Sequence, residues 1–257
     1  MADVTPPPHP SAATRLAFRV ARLAGRLPRG GNALIRLLAR SFKGLGNYPI
    51  PTGYGTVTCD FRESVCWELI KFGEYRHWRE DVAVLPELVR KGAIVLDVGA
   101  NIGVTTMLYS RLARHVHAFE PSPRALKFLR QNVGRLPNVT IHEIALGEQS
   151  GSASFAEEAQ LDLSHFSATG IEVPVRTIDQ LALDPDFIKI DVEGFEHLVL
   201  GGAKETLKKG RAIILFEALD AEALKLGSDI IKAANPHYSI RHVGGQSYNY
   251  IAEPRPN

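Results

Sequence analysis

The stretch "IVLDVGANIGVTT", Ile94 to Thr106, decides the fold. A short apolar run leads into Asp97, and Gly99 and Gly103 follow within the next six residues. Such a run before a glycine-rich turn is typical of a buried strand, and the residues after Gly103 have the apolar spacing of a helix. Glycine allows a sharp turn and a close approach of the backbone to a ligand, because it has no Cβ. The stretch therefore predicts a strand, a ligand-binding turn and a helix.

The same kind of pattern continues along the chain. Further strands are predicted at "HVHAFEP", "NVTIHEIAL", "DFIKIDVEG" and "RAIILFEAL", with helical patterns in most of the connections. Strands joined through a helix are parallel and have right-handed crossovers. "YSIRHVGG" and "SYNYIAEP" predict a closing hairpin. We therefore expect a doubly wound, Rossmann-like α/β sheet, mostly parallel with an antiparallel edge hairpin, preceded by N-terminal helices.

Composition and length suit a globular protein with a real core. The chain has 257 residues, of which 45% are hydrophobic and 23% charged. Cys59 and Cys66 are too few for a disulfide framework, and no histidine pairs with them at zinc-finger spacing, so we expect reduced thiols. No apolar run approaches the ~20 residues that a membrane span needs, and the start lacks the core of a secretory signal. A cytoplasmic location is expected, with membrane association left open.

The first 58 residues form a basic head. They contain eight lysines and arginines and a single acid, whereas the remainder holds 22 basic and 27 acidic residues. Four arginines recur at helical spacing, and four apolar residues repeat it one position later: Arg15, Arg19, Arg22 and Arg26, then Leu16, Val20, Leu23 and Leu27. We expect a solvated helix that packs on the body through its leucines, with peripheral membrane contact as the alternative. Nucleic acid is not expected as a partner, because the body is acidic and no aromatic residues interleave the arginines.

The glycine turn favours one class of ligand over another. In a doubly wound sheet, ligands lie beyond the carboxyl ends of the strands, where the strand order reverses. A dinucleotide fingerprint needs glycines at the third and sixth places from Gly99, but Asn101 and Val104 stand there. Asp97, at the strand end, suits a ligand with an ammonium group, and Glu120, closing the next strand, suits the hydroxyls of a ribose. A ribose with a cationic, phosphate-free tail describes S-adenosylmethionine.

Several blocks together resemble the FkbM-type methyltransferase family. They are "KFGEYRHW", "VLDVGANIGVTT", "HAFEPSP", "IALGEQSG" and "IKIDVEGFEHLVLGGA" followed by "ILFE", and they extend from about Phe72 to Leu219. The block "IKIDVEG" is the most specific, whereas the glycine turn is shared with many methyltransferases. The resemblance implies a class I, S-adenosylmethionine-dependent fold whose members usually methylate hydroxyl groups on sugars or polyketides. We therefore expect a glycan or another small-molecule acceptor.

The resemblance also implies roles for particular residues. The methionine end of the cofactor would be bound by Asp97, Gly99, Asn101 and Gly103. Glu120 would bind the ribose, and Ala145 and Leu146 would lie along the adenine. Asp191, ending the fourth strand, would lie below the sulfonium and the acceptor.

Methyl transfer to an alcohol benefits from removal of the alcohol's proton. One interpretation makes Asp191 or Glu193 the general base, tuned by His197, which shares a helical face with Glu193 at a spacing of four. A second interpretation gives Asp191, Glu193 and Glu217 to a divalent cation such as Mg²⁺. The alternative is that Glu193 caps the helix and His197 packs on its surface. We favour a site role for Asp191 and Glu193, and the surface role for His197.

The chain is expected to divide into three segments. Residues 1–45 are a disordered start and a basic amphipathic helical segment, 46–92 a strand and helix lead-in, and 93–257 the Rossmann-like core. Two other functions are alternatives to the methyltransferase. The first is an NAD(P)-dependent oxidoreductase, but this sequence lacks the third-place and sixth-place glycines that such an enzyme needs to bind its dinucleotide. The second is a non-catalytic binding protein, which would have no need to keep four acids together: Asp97, Glu120, Asp191 and Glu193.

Overall fold

The computed structural model describes residues 10–27, 29–76, 78–156, 165–166 and 170–255. Within them the central element is a seven-stranded sheet. Its strands are β3 (Ile94–Val98), β4 (His115–Phe119), β5 (Val139–His142), β10 (Phe187–Ile190), β11 (Ile213–Glu217), β12 (Tyr238–His242) and β13 (Asn249–Pro254). The order across the sheet is β12-β13-β11-β10-β3-β4-β5.

Five of these strands, β5, β4, β3, β10 and β11, are parallel neighbours, and β13 runs antiparallel between β11 and β12. The doubly wound class I fold and its antiparallel edge hairpin are thereby confirmed. Chain order reverses between β3 and β10, because β3 continues to β4 on one side and pairs with β10 on the other. This switch point is where a sheet of this kind binds its ligand.

Helices cover both faces of the sheet. They are α4 (Arg79–Leu88), α5 (Val104–Leu112), α6 (Pro123–Val133), α7 (Glu196–Gly201), α8 (Lys204–Lys208) and α9 (Ala221–Ala234). The sequence sets several of their starts: Ser122 accepts the N–H of Ala125 at 3.2 Å before α6, and Asp220 accepts that of Ala223 at 2.8 Å before α9. Burial of β3 and β10 between these layers explains their nearly continuous apolar sequence.

A second, four-stranded sheet lies beside the first. It consists of β6 (Ala145–Leu146), β7 (Gly151–Ala156), β8 (His165–Phe166) and β9 (Ile171–Arg176) in the order β6-β9-β7-β8. The sequence predicted one continuous strand, "NVTIHEIAL", but the chain leaves the main sheet after His142 and pairs Ala145 and Leu146 with β9. The single-strand prediction was wrong, because an apolar pattern does not distinguish one long strand from two strands in different sheets.

The N-terminal part contributes α1 (Ala12–Ala24), α2 (Gly31–Ser41), the hairpin β1 (Tyr48–Thr52) and β2 (Gly55–Cys59), and α3 (Trp67–Phe72). Three aromatic rings hold α1 on the hairpin: Phe18 stacks on Tyr48 at 4.8 Å, and both rings contact Phe61 edge-on. The proposed division at residues 45 and 92 stays a prediction. The expected disordered start, as far as residue 9, lies outside the described residues.

Helix α1 does not pack through its leucines as we expected. Its buried residues are Thr14, Ala17, Phe18 and Ala21. The predicted stripe is exposed to solvent instead, with exposed fractions of 62% for Leu16, 42% for Val20, 69% for Leu23 and 55% for Leu27. Small residues and one phenylalanine allow a close approach to the hairpin, and this leaves the larger aliphatic side chains outside. Over the ranges described, no helix combines the length and apolar character that crossing a bilayer requires.

Candidate active site

A cavity of about 410 Å³ opens at the carboxyl ends of the central strands. It lies at the switch point, between the turn after β3 and the end of β10. The end where the sequence predicts the cofactor, here called the cofactor end, is lined by Val98, Gly99, Ala100, Asn101, Ile102, Val104, Thr105, Phe119, Glu120, Pro121, Ile144, Ala145, Leu146 and Phe155, which packs with Ala145. The end where it predicts the acceptor, here called the acceptor end, is lined by Ser64, Val65, Glu68, Tyr75, Trp78, Lys189, Asp191, Val192, Glu193 and Glu217.

The glycine turn at the cofactor end has a geometric requirement for its first glycine. Gly99 has φ of 78°, and a Cβ built there would lie 1.9 Å from the carbonyl oxygen of Asp191. Any larger residue would therefore force the turn and β10 apart. Gly103, with φ of 90°, precedes α5, and Asn101 also has a positive φ of 48°. The turn thus brings the backbone directly against the cavity, as the sequence indicated.

Asp97 is fully buried and is not among the residues that line the cavity. Its Oδ2 accepts hydrogen bonds from the hydroxyls of Thr105 at 2.9 Å and Thr106 at 2.6 Å. The ammonium of Lys189 lies 3.7 Å from its Oδ1. We expected Asp97 to face the ammonium of a ligand, but the cation facing it is one of the protein's own.

Lys189 is the residue that sequence reasoning missed. It is 3% exposed and donates a hydrogen bond to the carbonyl of Gly99 at 2.9 Å. Its Nζ also lies 3.2 Å from a carboxylate oxygen of Asp191. Burial lowers the pKa of Lys189, but the carboxylates of Asp191 and Asp97 outweigh it, so that the pKa lies above its usual value. Lys189 is therefore a fixed cation that joins the glycine turn to the ends of β3 and β10.

Glu120 ends β4 and lies in the cavity, 6% exposed. Its two carboxylate oxygens accept the backbone N–H groups of Asn101 at 2.8 Å and Ser122 at 2.9 Å. Burial raises the pKa of Glu120 to about 7, although both N–H groups favour the ionised form. These bonds leave lone pairs on each oxygen, so the carboxylate can accept two further donors from a ligand.

Beyond Glu120 the cofactor end is apolar. Ala145 and Leu146, on β6, are buried and line the wall with Phe119. A flat, apolar ring fits such a slot. Glu143, just after β5, is exposed and pairs with Arg130 outside the cavity.

Three carboxylates meet at the acceptor end: Asp191, Glu193 and Glu217. Burial first, and then the negative charges of Asp191 and Glu193, raise the pKa of Glu217 to about 8. Glu193 is exposed and has φ of 55°, so it stands in a turn. The predicted helical pairing of Glu193 with His197 was wrong, because α7 begins only at Glu196.

The helix start is stabilised by a different acid. Glu196 accepts the N–H groups of Val192 at 2.9 Å and Gly194 at 3.2 Å, and thereby shapes the turn that carries Glu193. His197 lies in α7 and is not among the residues that line the cavity.

The predicted metal site receives no support. In the part of the chain that the structure describes, no group of three His, Cys, Asp or Glu side chains could hold a metal ion. The physical reason is that Lys189 already stands beside Asp191, at 3.2 Å, where a cation would bind.

Two aromatic side chains from the N-terminal part reach the acceptor end. Tyr75 and Trp78 line it and contact each other edge-to-face, with ring centroids 5.9 Å apart. Lys189 lies 5.7 Å from the Trp78 ring centroid, a cation–π distance. Trp67, nearby in the sequence, instead packs in the N-terminal core, donates to the carbonyl of Phe61 at 3.2 Å and lies below the guanidinium of Arg36.

Known proteins resemble this chain in sequence and in structure. The sequence model of the methyltransferase FkbM domain matches residues 97–230, just over half of the chain. The 2-O-methyltransferase NoeI of Sinorhizobium fredii (strain NBRC 101917 / NGR234) is 30% identical over 49% of this chain and 63% of its own length. The hexuronic acid methyltransferase AglP of Haloferax volcanii (strain ATCC 29605 / DSM 3757) is 29% identical over 58% of this chain and 65% of its own length.

Each match therefore spans less than two thirds of the relative. Among solved structures, the methyltransferase FkbM of Methylobacillus flagellatus KT superposes with a TM-score of 0.49 at 17% identity. That superposition covers 93% of this chain and 58% of the other.

Proposed function

The chain belongs to the FkbM methyltransferase family, and from that premise we propose that it transfers the methyl group of S-adenosylmethionine to a sugar hydroxyl. The observation that supports this most is the cofactor end of the cavity. There a glycine turn in contact with β10 and a buried carboxylate at the end of β4 stand beside an apolar slot. A nucleoside with a ribose and no phosphate matches these neighbouring surfaces. A dinucleotide does not, because the turn lacks the glycines that dinucleotide binding requires.

We infer that Glu120 accepts both ribose hydroxyls and that Ala145 and Leu146 contact the adenine. The methionine portion would lie along Gly99, Asn101 and Gly103. Asp97 would act indirectly, since its carboxylate is held by Lys189, Thr105 and Thr106 behind the turn. In this role Asp97 fixes the turn rather than contacting the ligand.

The carboxylates of the acceptor end would remove the hydroxyl proton as the acceptor oxygen attacks the methyl carbon. Glu217 suits this best, because its pKa of about 8 makes it an effective base near neutral pH. Asp191 and Glu193 remain alternatives. Lys189 cannot serve, because its raised pKa keeps it protonated. The enzyme would supply alignment and proton removal, with no covalent intermediate.

The charge of the acceptor end favours an acceptor without a negative charge. Glu68, Asp191, Glu193 and Glu217 line it, and Lys189 is the one basic residue among the described residues that line it. A carboxylate on the sugar would therefore be repelled, although one relative is named a hexuronic acid methyltransferase. Tyr75 and Trp78 offer apolar ring faces on which a sugar could stack.

Calorimetry and a transfer assay test the proposal. S-adenosylhomocysteine should bind the protein and bind much more weakly to Glu120→Ala, while NAD should give no heat. Labelled S-adenosylmethionine should then methylate a neutral hexoside faster than the matching hexuronide. Binding of NAD without binding of S-adenosylhomocysteine would refute the methyltransferase, whereas a preference for the hexuronide would refute only the acceptor class.

A separate comparison tests the base. Glu217→Gln should lower kcat by at least about tenfold and leave the affinity for S-adenosylhomocysteine nearly unchanged. An unchanged kcat would mean that Asp191 or Glu193 is the base instead.

The cytoplasmic location also stays a prediction, for which the two free, buried cysteines give a reason.

A further inference from the structure

We propose that the outer face of α1 docks on an anionic membrane surface. The observation is the concentration of exposed apolar side chains on this one helix and the turn after it. Of the nine large apolar residues exposed in the described ranges, four are Leu16, Val20, Leu23 and Leu27. Leu16, Val20 and Leu23 recur at spacings of four and three and form one stripe along α1, and Leu27 follows them in the turn after the helix.

The stripe points away from the protein. Thr14, Ala17, Phe18 and Ala21 form the buried side of α1, and a turn of 3.6 residues puts the leucines on a different side. The inner contacts with Tyr48 and Phe61 already hold the helix, so burying the stripe is not needed for folding. Contiguous apolar patches on a soluble surface mark sites of interaction.

The charges beside the stripe indicate the occupant. Arg15, Arg19 and Arg26 are exposed and Arg22 half-buried, and none of the four forms an ion pair with a described residue. No Asp or Glu occurs anywhere from residue 4 to residue 59. A helix with leucines on one side and arginines along the flank lies in the interface of a bilayer and prefers anionic lipid.

A second copy of the chain fits this face less well. A symmetric dimer places the same patch of both subunits face to face. Two rows of arginines would then meet, with no acid nearby on either helix to offset them. Lipid phosphates offset the same arginines without that repulsion. Helix α2, which packs against α1, also exposes Leu37, at 58%, and Arg40.

Vesicle co-sedimentation of the full chain tests the proposal. The protein should bind vesicles of mixed phosphatidylcholine and phosphatidylglycerol, and bind those of phosphatidylcholine alone much more weakly. Leu16→Ser with Leu23→Ser should weaken binding at least about tenfold. Leu219→Ser with Leu226→Ser is the matched control, because these leucines are also exposed, at 55% and 42%, but lie on another part of the surface.

A charge variant gives an independent measurement. Arg15→Gln with Arg19→Gln should lose roughly fivefold per arginine on the anionic vesicles and almost nothing on the neutral ones. Circular dichroism melting should show that all variants remain folded, whereas deletion of α1 would remove Phe18 and expose the Tyr48 and Phe61 rings that it contacts. Sedimentation velocity without lipid should show a monomer at the concentrations used.

Three outcomes would overturn the proposal. The first is the absence of vesicle binding at either composition. The second is equal binding by the Leu16/Leu23 variant and by its control. The third is a wild-type dimer that the Leu16/Leu23 variant dissociates, which would assign the face to a second copy.

Discussion

The two ends of the cavity are built differently, although both open from the same edge of the sheet. The cofactor end comes from two consecutive strand–turn units and from β6, and both oxygens of its carboxylate, Glu120, accept backbone N–H groups. The acceptor end collects residues from distant parts of the chain, and burial together with the negative charges of Asp191 and Glu193 raises the pKa of Glu217 to about 8. The first end is a preorganised binding surface, and the second holds a carboxylate whose raised pKa suits a general base.

Lys189 joins the two ends, so its loss should have the largest effect. Lys189→Met should lower the free energy of unfolding by about 3–5 kcal/mol, because Asp97 is left buried without its cation. Urea denaturation measures this. Adding Asp97→Asn should recover part of the loss.

The matched control for Lys189 is Lys204→Met. Lys204 forms an ion pair with Glu148 at 3.2 Å, the same length as the pair between Lys189 and Asp191, but it is 59% exposed. Lys204→Met should lower the free energy of unfolding by about 1 kcal/mol or less. Equal losses from the two variants would mean that Lys189 does not join the ends.

The contact between the glycine turn and β10 should come next. Gly99→Ala should cost about 3 kcal/mol, since the new Cβ meets the Asp191 carbonyl at 1.9 Å and the backbone has a positive φ. Gly92→Ala has a similar φ, 89°, and nothing within 4 Å of the new Cβ, so it should cost only about 1 kcal/mol. Thermal unfolding of the two variants separates the two effects, because Gly92→Ala reports backbone strain alone and Gly99→Ala reports strain together with steric overlap. Equal losses of stability in the two variants would mean that the contact with the Asp191 carbonyl is not the reason for a glycine at residue 99.

The cofactor end alone is probed through Glu120. Glu120→Gln should weaken binding of S-adenosylhomocysteine roughly 10- to 100-fold, because a neutral amide accepts hydroxyl groups less strongly. With a pKa of about 7 in the free protein, the wild type should bind more tightly as the pH rises through 7, and the variant should lose this dependence. Titration calorimetry at several pH values measures both.

Glu143→Gln is the control for Glu120, since Glu143 is a carboxylate just after β5 whose partner is Arg130 outside the cavity. It should leave the dissociation constant unchanged. If Glu120→Gln behaved like this control, the ribose would have to bind elsewhere.

How far the sequence predicted these features depends on how local their determinants are. The sheet, its edge hairpin and the glycine turn follow from patterns within about ten residues, and the sequence predicted them. Lys189 was missed, although a lysine inside the apolar strand "DFIKID" was a visible signal. A charge within a buried strand requires a partner, and that partner, Asp97, lies on a neighbouring strand 92 residues earlier.

Two further errors had the same origin. The turn that holds Glu193 depends on Glu196 accepting two backbone N–H groups, which helical spacing does not reveal. The leucine stripe of α1 was predicted correctly as a stripe, but periodicity shows only that one side is apolar. Which side is buried was decided by the fit of Ala17, Phe18 and Ala21 against the hairpin.

The acceptor end should make the stability of the protein depend on pH. Glu217 has a folded pKa of about 8, above the ordinary 4.5, so folding favours its protonated form. Its contribution is fully present below about pH 4.5 and is lost as the pH rises through 8. The ligand-free wild type should therefore lose stability relative to Glu217→Gln between those values. Glu87→Gln, an exposed acid on α4, should run parallel to the wild type in urea titrations across this range. A constant difference between wild type and Glu217→Gln would mean that burial and the neighbouring carboxylates do not raise the pKa of Glu217 in the folded protein, and the contrast between the two ends would then rest on shape alone.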